Sequence, residues 1–347
     1  MLNDLTSAIQ GGRELAAAEV SAAAAELLRD DAAALESKAD FLRALARRGE
    51  TPAELTGFVR EFLQHAVVPP LDLGALDRPA IDVCGTGGDK LGLFNVSTTA
   101  MFVLAGAGVA VVKHGNRGIT SPSGGADVLE ALGIRIDLAP GDFGRCLEEV
   151  GAGFLFAPLY HPAFKAVAPV RARLGREGKR TLFNLLGPLL NPARPAYQLI
   201  GVFDPAIGPA FARILPQLGR EAAWVVHGTT ETGSGMDELS TLGPSHVWKS
   251  RGENPFESVI EPASLGIAAA TTADLQGGDA TENAAHLVAI LEGRDRGPKR
   301  DIVSLNAAAG LVICGLAVDL SEGIALAAAA IDSGRALAVL QRWREFA

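Results

Sequence analysis

Aromatic side chains are scarce in this 347-residue chain, at 5% of its residues. That scarcity predicts packing mainly by small and aliphatic side chains. Cysteine is scarcer still: three residues, Cys84, Cys146 and Cys314, stand far apart in apolar surroundings. No disulfide or metal framework follows from such spacing, and a reducing cytoplasm is the expected compartment. There is no excess of basic residues. The formal charge is −9, with neither a basic tail nor a basic face, which argues against nucleic acid as a partner. No apolar run reaches membrane-spanning length and no basic-then-apolar leader opens the chain, so no membrane association is expected.

What is present is a globular composition, 48% hydrophobic and 20% charged, in a chain long enough for about two domains. Residues 1 to 68 read as helix throughout, with segments near Leu15–Leu28 and Ala33–Ala46. Thr51-Pro52-Ala53-Glu54 is a capping box with proline at the first helical position, opening a helix to about Ala66. Val68-Pro69-Pro70 is a stiff exit.

From Ala80 the pattern changes to strand, loop, helix. Ala80–Cys84, Val109–Lys113, Phe154–Ala157, Leu199–Phe203 and Ala222–His227 read as buried strands. Helices are expected at Ser97–Ala107, Ala126–Leu132, Pro209–Leu218, Glu282–Leu291, Ile302–Leu316 and Ser321–Leu340. This alternation predicts an α/β fold: a small all-helical domain, residues 1–68 with 160–185 contributing, and a larger α/β domain, 69–159 and 186–347. The larger domain should hold a mostly parallel central sheet covered by helices. Ligands of such sheets bind beyond the carboxyl ends of the strands.

Three loops at predicted strand ends carry chemistry. Gly85-Thr86-Gly87-Gly88-Asp89 has three glycines where a backbone could approach a phosphate closely, and it is followed by Asn95-Val96-Ser97-Thr98 at a helix start. Plain helix capping would explain the second string alone; with the glycine loop just upstream, ligand binding explains both. Lys113-His114-Gly115-Asn116-Arg117-Gly118-Ile119-Thr120-Ser121 concentrates cations, amides and hydroxyls, which suits pyrophosphate. His114 stays ambiguous between a structural and a site role. Asp237-Glu238 is a paired carboxylate that could hold Mg²⁺ if phosphate oxygens complete the shell, or an ordinary acidic loop. Arg171 could clamp a substrate carboxylate or serve as a surface ion-pairing group.

With Ala126-Asp-Val-Leu-Glu-Ala-Leu-Gly133 and Phe183-Asn-Leu-Leu-Gly-Pro-Leu-Leu-Asn-Pro192, these strings, in this order, resemble the anthranilate phosphoribosyltransferase family, of the nucleoside-phosphorylase-like phosphoribosyltransferase class. The resemblance covers nearly the whole chain. It implies a hinge between the two domains, a homodimer formed through the small domains, and transfer of phosphoribose from 5-phosphoribosyl 1-diphosphate to anthranilate in tryptophan biosynthesis. Carried onto this chain, it implies that Gly85, Gly88, Asp89, Asn95, Val96, Ser97 and Thr98 hold the donor. Lys113, His114, Gly115, Asn116, Arg117, Gly118, Ile119, Thr120, Ser121 and Gly125 would cover it. Ser97, Asp237 and Glu238 would hold Mg²⁺. Asn116 and Arg171 would bind anthranilate near Gly187 and Pro188, and Lys113, Asp89 and Arg171 would be the catalytic set.

The family usually carries Thr or Ser, Lys or Arg, and Ser where this chain has Leu93, Pro122 and Gly125, so donor contacts are expected to be rearranged here. A related transferase with another aromatic acceptor, a nucleoside phosphorylase of the same class, and a non-catalytic nucleic-acid-binding paralogue are the competing readings. The glycine loop and Asp237-Glu238 weigh against the phosphorylase, and the charge of −9 against the paralogue.

Overall fold

A computed structural model describes residues 1–118, 122–252 and 254–346. The chain divides into two compact units, Met1–Val68 with Ala157–Pro192, and Pro69–Phe156 with Ala193–Ala347.

The first unit is helical. Leu2–Gln10, Ala17–Leu28, Leu35–Arg48 and Pro52–Gln64 bury Leu27, Phe41, Leu42, Phe58 and Phe62. The returning segment joins them through Phe62, which stacks on Phe183 at 5.5 Å and meets Phe164 edge-on at 5.3 Å. Glu54 is the polar anchor. It closes the capping box by accepting from Thr51 N–H at 2.9 Å, accepts from Leu15 N–H at 2.8 Å, pairs with Arg48, and is 2% exposed. Burial alone would raise its pKa; Arg48 and the two N–H donors outweigh burial and lower it. Glu54→Ala would leave Arg48 and two backbone donors without their acceptor. A loss of roughly 3–5 kcal/mol is expected, which a denaturant titration of the full chain would read directly.

The second unit is built on one sheet. Its strands are β1 (Ala80–Gly85), β2 (Ala110–Gly115), β3 (Ala152–Phe156), β4 (Tyr197–Gly201), β5 (Ala222–Thr229), β6 (Gly235–Met236), β7 (Ser245–Arg251) and β8 (Phe256–Ile260). They lie in the order β3-β2-β1-β4-β5-β7-β8, with β6 paired to β5. β1 to β5 are mutually parallel, and β6, β7 and β8 add antiparallel pairs. The five parallel strands are short runs buried nearly throughout, the pattern of a sheet packed on both faces.

From β1 the chain steps one way to β2 and β3, then returns to add β4 and β5 on the other side. Right-handed crossovers therefore send the helices after β1 and after β4 to opposite faces. The β1–β4 boundary is the topological switch point, where Gly85 pairs with Gly201 at the carboxyl ends.

Two expectations need correction. Ser321–Leu340 is not one helix: Leu320–Asp332 and Arg335–Glu345 are separated at Ser333-Gly334, where Gly334 takes φ +76°, a left-handed conformation that ends the first helix. The antiparallel β7–β8 pair was not foreseen, because Ser245–Arg251 has only Val247 and Trp248 as apolar residues and so presents neither an apolar run nor a period-two pattern. Among the described residues no single helix is long and apolar enough to cross a membrane.

Candidate active site

Three loops leave the carboxyl ends of β1, β2 and β5 and meet above the switch point, all within the α/β unit. The loop after β1 winds through positive φ at Gly87 (+69°) and Gly88 (+95°), conformations that glycine adopts without strain. It is tied down on both sides. Thr86 N–H donates to Gly201 O at 2.9 Å, and Gly87 N–H to the Asp237 carboxylate at 2.6 Å.

The acidic segment Asp237-Glu238 sits where it does because the strand ends below it lack side chains. A Cβ on Gly201 would overlap the Asp237 carbonyl oxygen, one on Gly85 the Asp237 carboxylate, and one on Gly228 the Glu238 carbonyl. Adjacent strands β1, β4 and β5 thus form a floor of bare backbone. Asn306 holds the segment from the far side. Buried in the helix Pro298–Ile313, it accepts from Leu239 N–H at 3.0 Å and donates to Leu239 O at 2.9 Å.

Glu238 reaches the start of the helix Val96–Gly106 and accepts from Ser97 N–H at 3.2 Å. Lys113 lies beneath, 5% exposed, donating to Val83 O and to Ser97 Oγ at 3.2 Å. Both Asp237 and Glu238 have pKa values raised well above the carboxylate range. Desolvation in this recess is the first cause, and like charge the second: Asp89 on Asp237, and Asp237 on Glu238. Lys113 and the Gly87 and Ser97 N–H groups oppose the shift without cancelling it.

Two crowded carboxylates beside a helix N-terminus and a hydroxyl are oxygen donors short of positive charge, which fits Mg²⁺. No trio of His, Cys, Asp or Glu among the described residues makes a complete metal cage. A metal here would take the rest of its shell from water or substrate oxygens, as Mg²⁺ at phosphate sites does.

Asn95 precedes the Val96–Gly106 helix, yet its side chain does not cap it. Its amide instead donates to Ser123 O at 3.4 Å and accepts from Asn283 Nδ2 at 2.8 Å. Val96 is buried in the core, so only its backbone is available to a ligand; Thr98, at the same helix start, is 1% exposed.

In the loop after β2, Arg117 forks onto Glu130 at 2.7 and 3.0 Å and covers the Phe156 ring. Asn116 Oδ1 accepts from Arg117 N–H. His114 N–H donates to the buried carboxylate of Asp82 at 3.3 Å, which joins this residue to the sheet interior. Asp127 pins the loop at two points, accepting from Gly118 N–H at 2.7 Å and Gly124 N–H at 2.8 Å. Gly125 lies where a Cβ would come 3.0 Å from Thr98 Oγ1, so this close approach joins the two loops without a side chain. Ile119, Thr120 and Ser121 lie outside the described residues.

Arg171, Gly187 and Pro188 belong to the helical unit. The Arg171 guanidinium lies 5.3 Å over the Phe183 ring, with no ion pair among the described residues, and burial lowers its pKa. Asn283, Asn306, Gly201 and Gly228 escaped the sequence reading, and Asp127 entered it only within the Ala126–Gly133 string. Two signals for them are visible in retrospect: a second Gly-Gly-Asp string at Gly277–Asp279, and a lone amide at Asn306 in an otherwise apolar helix face.

The glycosyl transferase family α/β-domain profile matches residues 77–337. Anthranilate phosphoribosyltransferase of Symbiobacterium thermophilum is 46% identical over 96% of this chain and 94% of its own length. That of Thermomicrobium roseum is 46% identical over 99% and 96%. Among solved structures, anthranilate phosphoribosyltransferase of Thermus thermophilus superposes with a TM-score of 0.88 at 40% identity, covering 98% of each chain. The Saccharomyces cerevisiae enzyme in complex with PRPP and Mg gives 0.88 at 26% identity, over 99% and 97%. The chain belongs to the anthranilate phosphoribosyltransferase family.

Proposed function

We propose that this chain transfers the phosphoribosyl group of 5-phosphoribosyl 1-diphosphate to anthranilate, releasing pyrophosphate, in tryptophan biosynthesis. The observation that carries this reading is the convergence of the Gly85–Asp89 loop, the start of the Val96–Gly106 helix and the Asp237-Glu238 pair at one switch point. Relatives with that name and similar sequence over their full length support it.

In this reading the N–H groups of the glycine loop and of the first helical turn that Gly201, Asp237 and Glu238 do not engage, with the Ser97 and Thr98 hydroxyls, bind the diphosphate. Gly85, Gly88, Asp89 and Asn95 hold the ribose and its neighbours, and residues Lys113–Gly118 with Gly125 border the donor. Mg²⁺ held by Ser97, Asp237 and Glu238 would neutralise charge on the departing pyrophosphate. Lys113 adds a fixed cation below Ser97. The aniline nitrogen of anthranilate is uncharged at neutral pH, so its attack on the anomeric carbon needs no prior deprotonation. The site accordingly needs charge stabilisation more than a general base.

Arg171, a guanidinium with an aromatic face and no carboxylate partner among the described residues, is proposed to bind the anthranilate carboxylate, with Gly187 and Pro188 bordering the acceptor. Asn116 is proposed to contact the same ligand. A cytoplasmic homodimer formed through the helical unit completes the proposal; its three free cysteines suit a reducing compartment, and light scattering of the purified chain tests the dimer.

Arg171→Ala separates acceptor from donor. Loss of a charge-assisted hydrogen-bond pair of about 2–3 kcal/mol should raise the anthranilate KM roughly 30- to 150-fold and leave the donor KM within about twofold. An unchanged anthranilate KM would place the acceptor elsewhere.

A further inference from the structure

A buried amide outside the three loops lies beside the donor site. Asn283 sits in the first turn of the helix Ala280–Leu291 and is 3% exposed. The chain just before it runs along the loop after β1. Gln276 donates to Leu91 O at 3.0 Å, Gly277 N–H to Gly92 O at 2.9 Å, and Phe94 N–H to Leu275 O at 3.2 Å. Gly277 allows the contact, since a Cβ there would come 2.7 Å from the Phe94 backbone. The loop that carries Asn95 is therefore backed by a segment 180 or so residues downstream.

The hydrogen bonds across this contact have a fixed direction. Gly278 N–H can only donate, and it donates to Asn283 Oδ1 at 2.9 Å. That assigns the Asn283 amide and turns its Nδ2 toward Asn95, whose Oδ1 accepts at 2.8 Å. At the other end Ser123 O can only accept, and Asn95 Nδ2 donates to it at 3.4 Å. Backbone groups of opposite kind thus pin both ends of the series Gly278 → Asn283 → Asn95 → Ser123. Asn95 is left with its oxygen occupied and one N–H of Nδ2 unassigned.

We propose that Asn283 is a positioning residue for donor binding: it fixes the Asn95 amide so that an N–H, not a carbonyl oxygen, is offered to the oxygen-rich phosphoribosyl diphosphate. This rests on the reading of Asn95 as a donor ligand. It also explains why the Asn95 side chain, in a good capping position, does not cap its own helix: the amide is held for another purpose. The same series joins the loop after β1 to Ser123 at the return of the loop after β2, so the two donor loops share one orientation-setting element.

Asp and Ala at position 283 give opposite expectations for a positioning and a merely structural role. Asn283→Asp keeps an acceptor for Gly278 N–H but gives up the amide donor that serves both Asn95 Oδ1 and, at 3.3 Å, Gly278 O. Its second oxygen then faces Asn95 Oδ1 and Gly278 O, which drives the Asn95 amide to turn over, giving up its 3.4 Å bond to Ser123 O and pointing its carbonyl at the donor. Asn283→Ala loses all three contacts but leaves Asn95 free to adopt either orientation.

Calorimetric titration of 5-phosphoribosyl 1-diphosphate with Mg²⁺ into the full chain should show affinity falling about 10- to 100-fold in Asn283→Asp and less in Asn283→Ala. In an Asn95→Ala background the effect of Asn283→Asp should largely vanish, because the group through which it acts is gone. The inference is overturned if Asn283→Ala weakens the donor as much as Asn283→Asp, or if the Asp effect persists undiminished without the Asn95 side chain, as a simple added charge would. A wild-type chain that takes up no donor at all overturns the donor reading itself, a result distinct from either of these.

Discussion

Replacing Asp237 with Asn and Glu238 with Gln together should abolish Mg²⁺-dependent turnover and, in metal-free buffer, raise the melting temperature. Loss of charge neutralisation worth several kcal/mol corresponds to at least about 10³-fold in rate. The stability gain follows from the raised pKa values of both carboxyls. A carboxyl whose folded pKa exceeds its unfolded value binds its proton more tightly in the folded state. The metal-free fold therefore loses stability as pH rises from the unfolded carboxyl range, about 4, through the raised folded values. Asp89 and Lys113 face the pair and act in opposite senses, but the net shift is upward.

Melting curves in EDTA should thus fall with pH across this window for the wild type and be flatter for the double variant. Mg²⁺ should reverse the trend in the wild type alone, since it competes with the same protons. The expected rise for the metal-free double variant is a few degrees, at roughly 2–4 °C per kcal/mol in a chain of this size. A double variant less stable than the wild type without metal would mean that the two carboxylates are structural.

Gly201→Ala carries the next largest expected effect. The added methyl would occupy the position of the Asp237 carbonyl oxygen, which belongs to backbone and cannot rotate away. The acidic segment must lift from β4, taking with it the Asp237 carboxylate that holds Gly87 N–H. Overpacking should cost about 1–3 kcal/mol in stability. Displacement of a charged ligand group by about 1 Å should lower kcat/KM about 100-fold, with weakened Mg²⁺ activation. Gly141→Ala is the control. It lies in the helix Pro140–Val150 with open space around its Cβ position, and the change there should be neutral or slightly stabilising. Equal losses in the two variants would remove the special role given to the strand-end floor.

The parallel part of the sheet was legible because doubly covered strands are short uninterrupted apolar runs, and Gly85–Asp89 follows one of them directly. The loops after β1 and β2 were legible for a related reason: their donors are contiguous in sequence, so density itself marks them. Asp237-Glu238 was legible as a pair but not as a pair held over β1, β4 and β5, since Gly201 and Gly228 contribute by what they lack. Asn306 and Asn283 were illegible on other grounds. Each acts on a residue far away in the chain, Leu239 and Asn95 respectively, and local periodicity carries no record of such pairings. Arg117 shows the converse: a cation placed by sequence beside the donor is engaged with Glu130 and Phe156. The one helix foreseen for Ser321–Leu340 failed at Gly334 because an apolar, alanine-rich stretch masks a single left-handed residue.

The most direct measurement is anthranilate fluorescence followed over time with the wild-type chain, 5-phosphoribosyl 1-diphosphate and Mg²⁺, with pyrophosphate assayed in parallel. Loss of the anthranilate signal with one pyrophosphate released per acceptor consumed, abolished by EDTA and absent in the Asp237→Asn, Glu238→Gln variant, is the expected result. Stable fluorescence with donor and Mg²⁺ present, or consumption that survives both EDTA and the double variant, would contradict it.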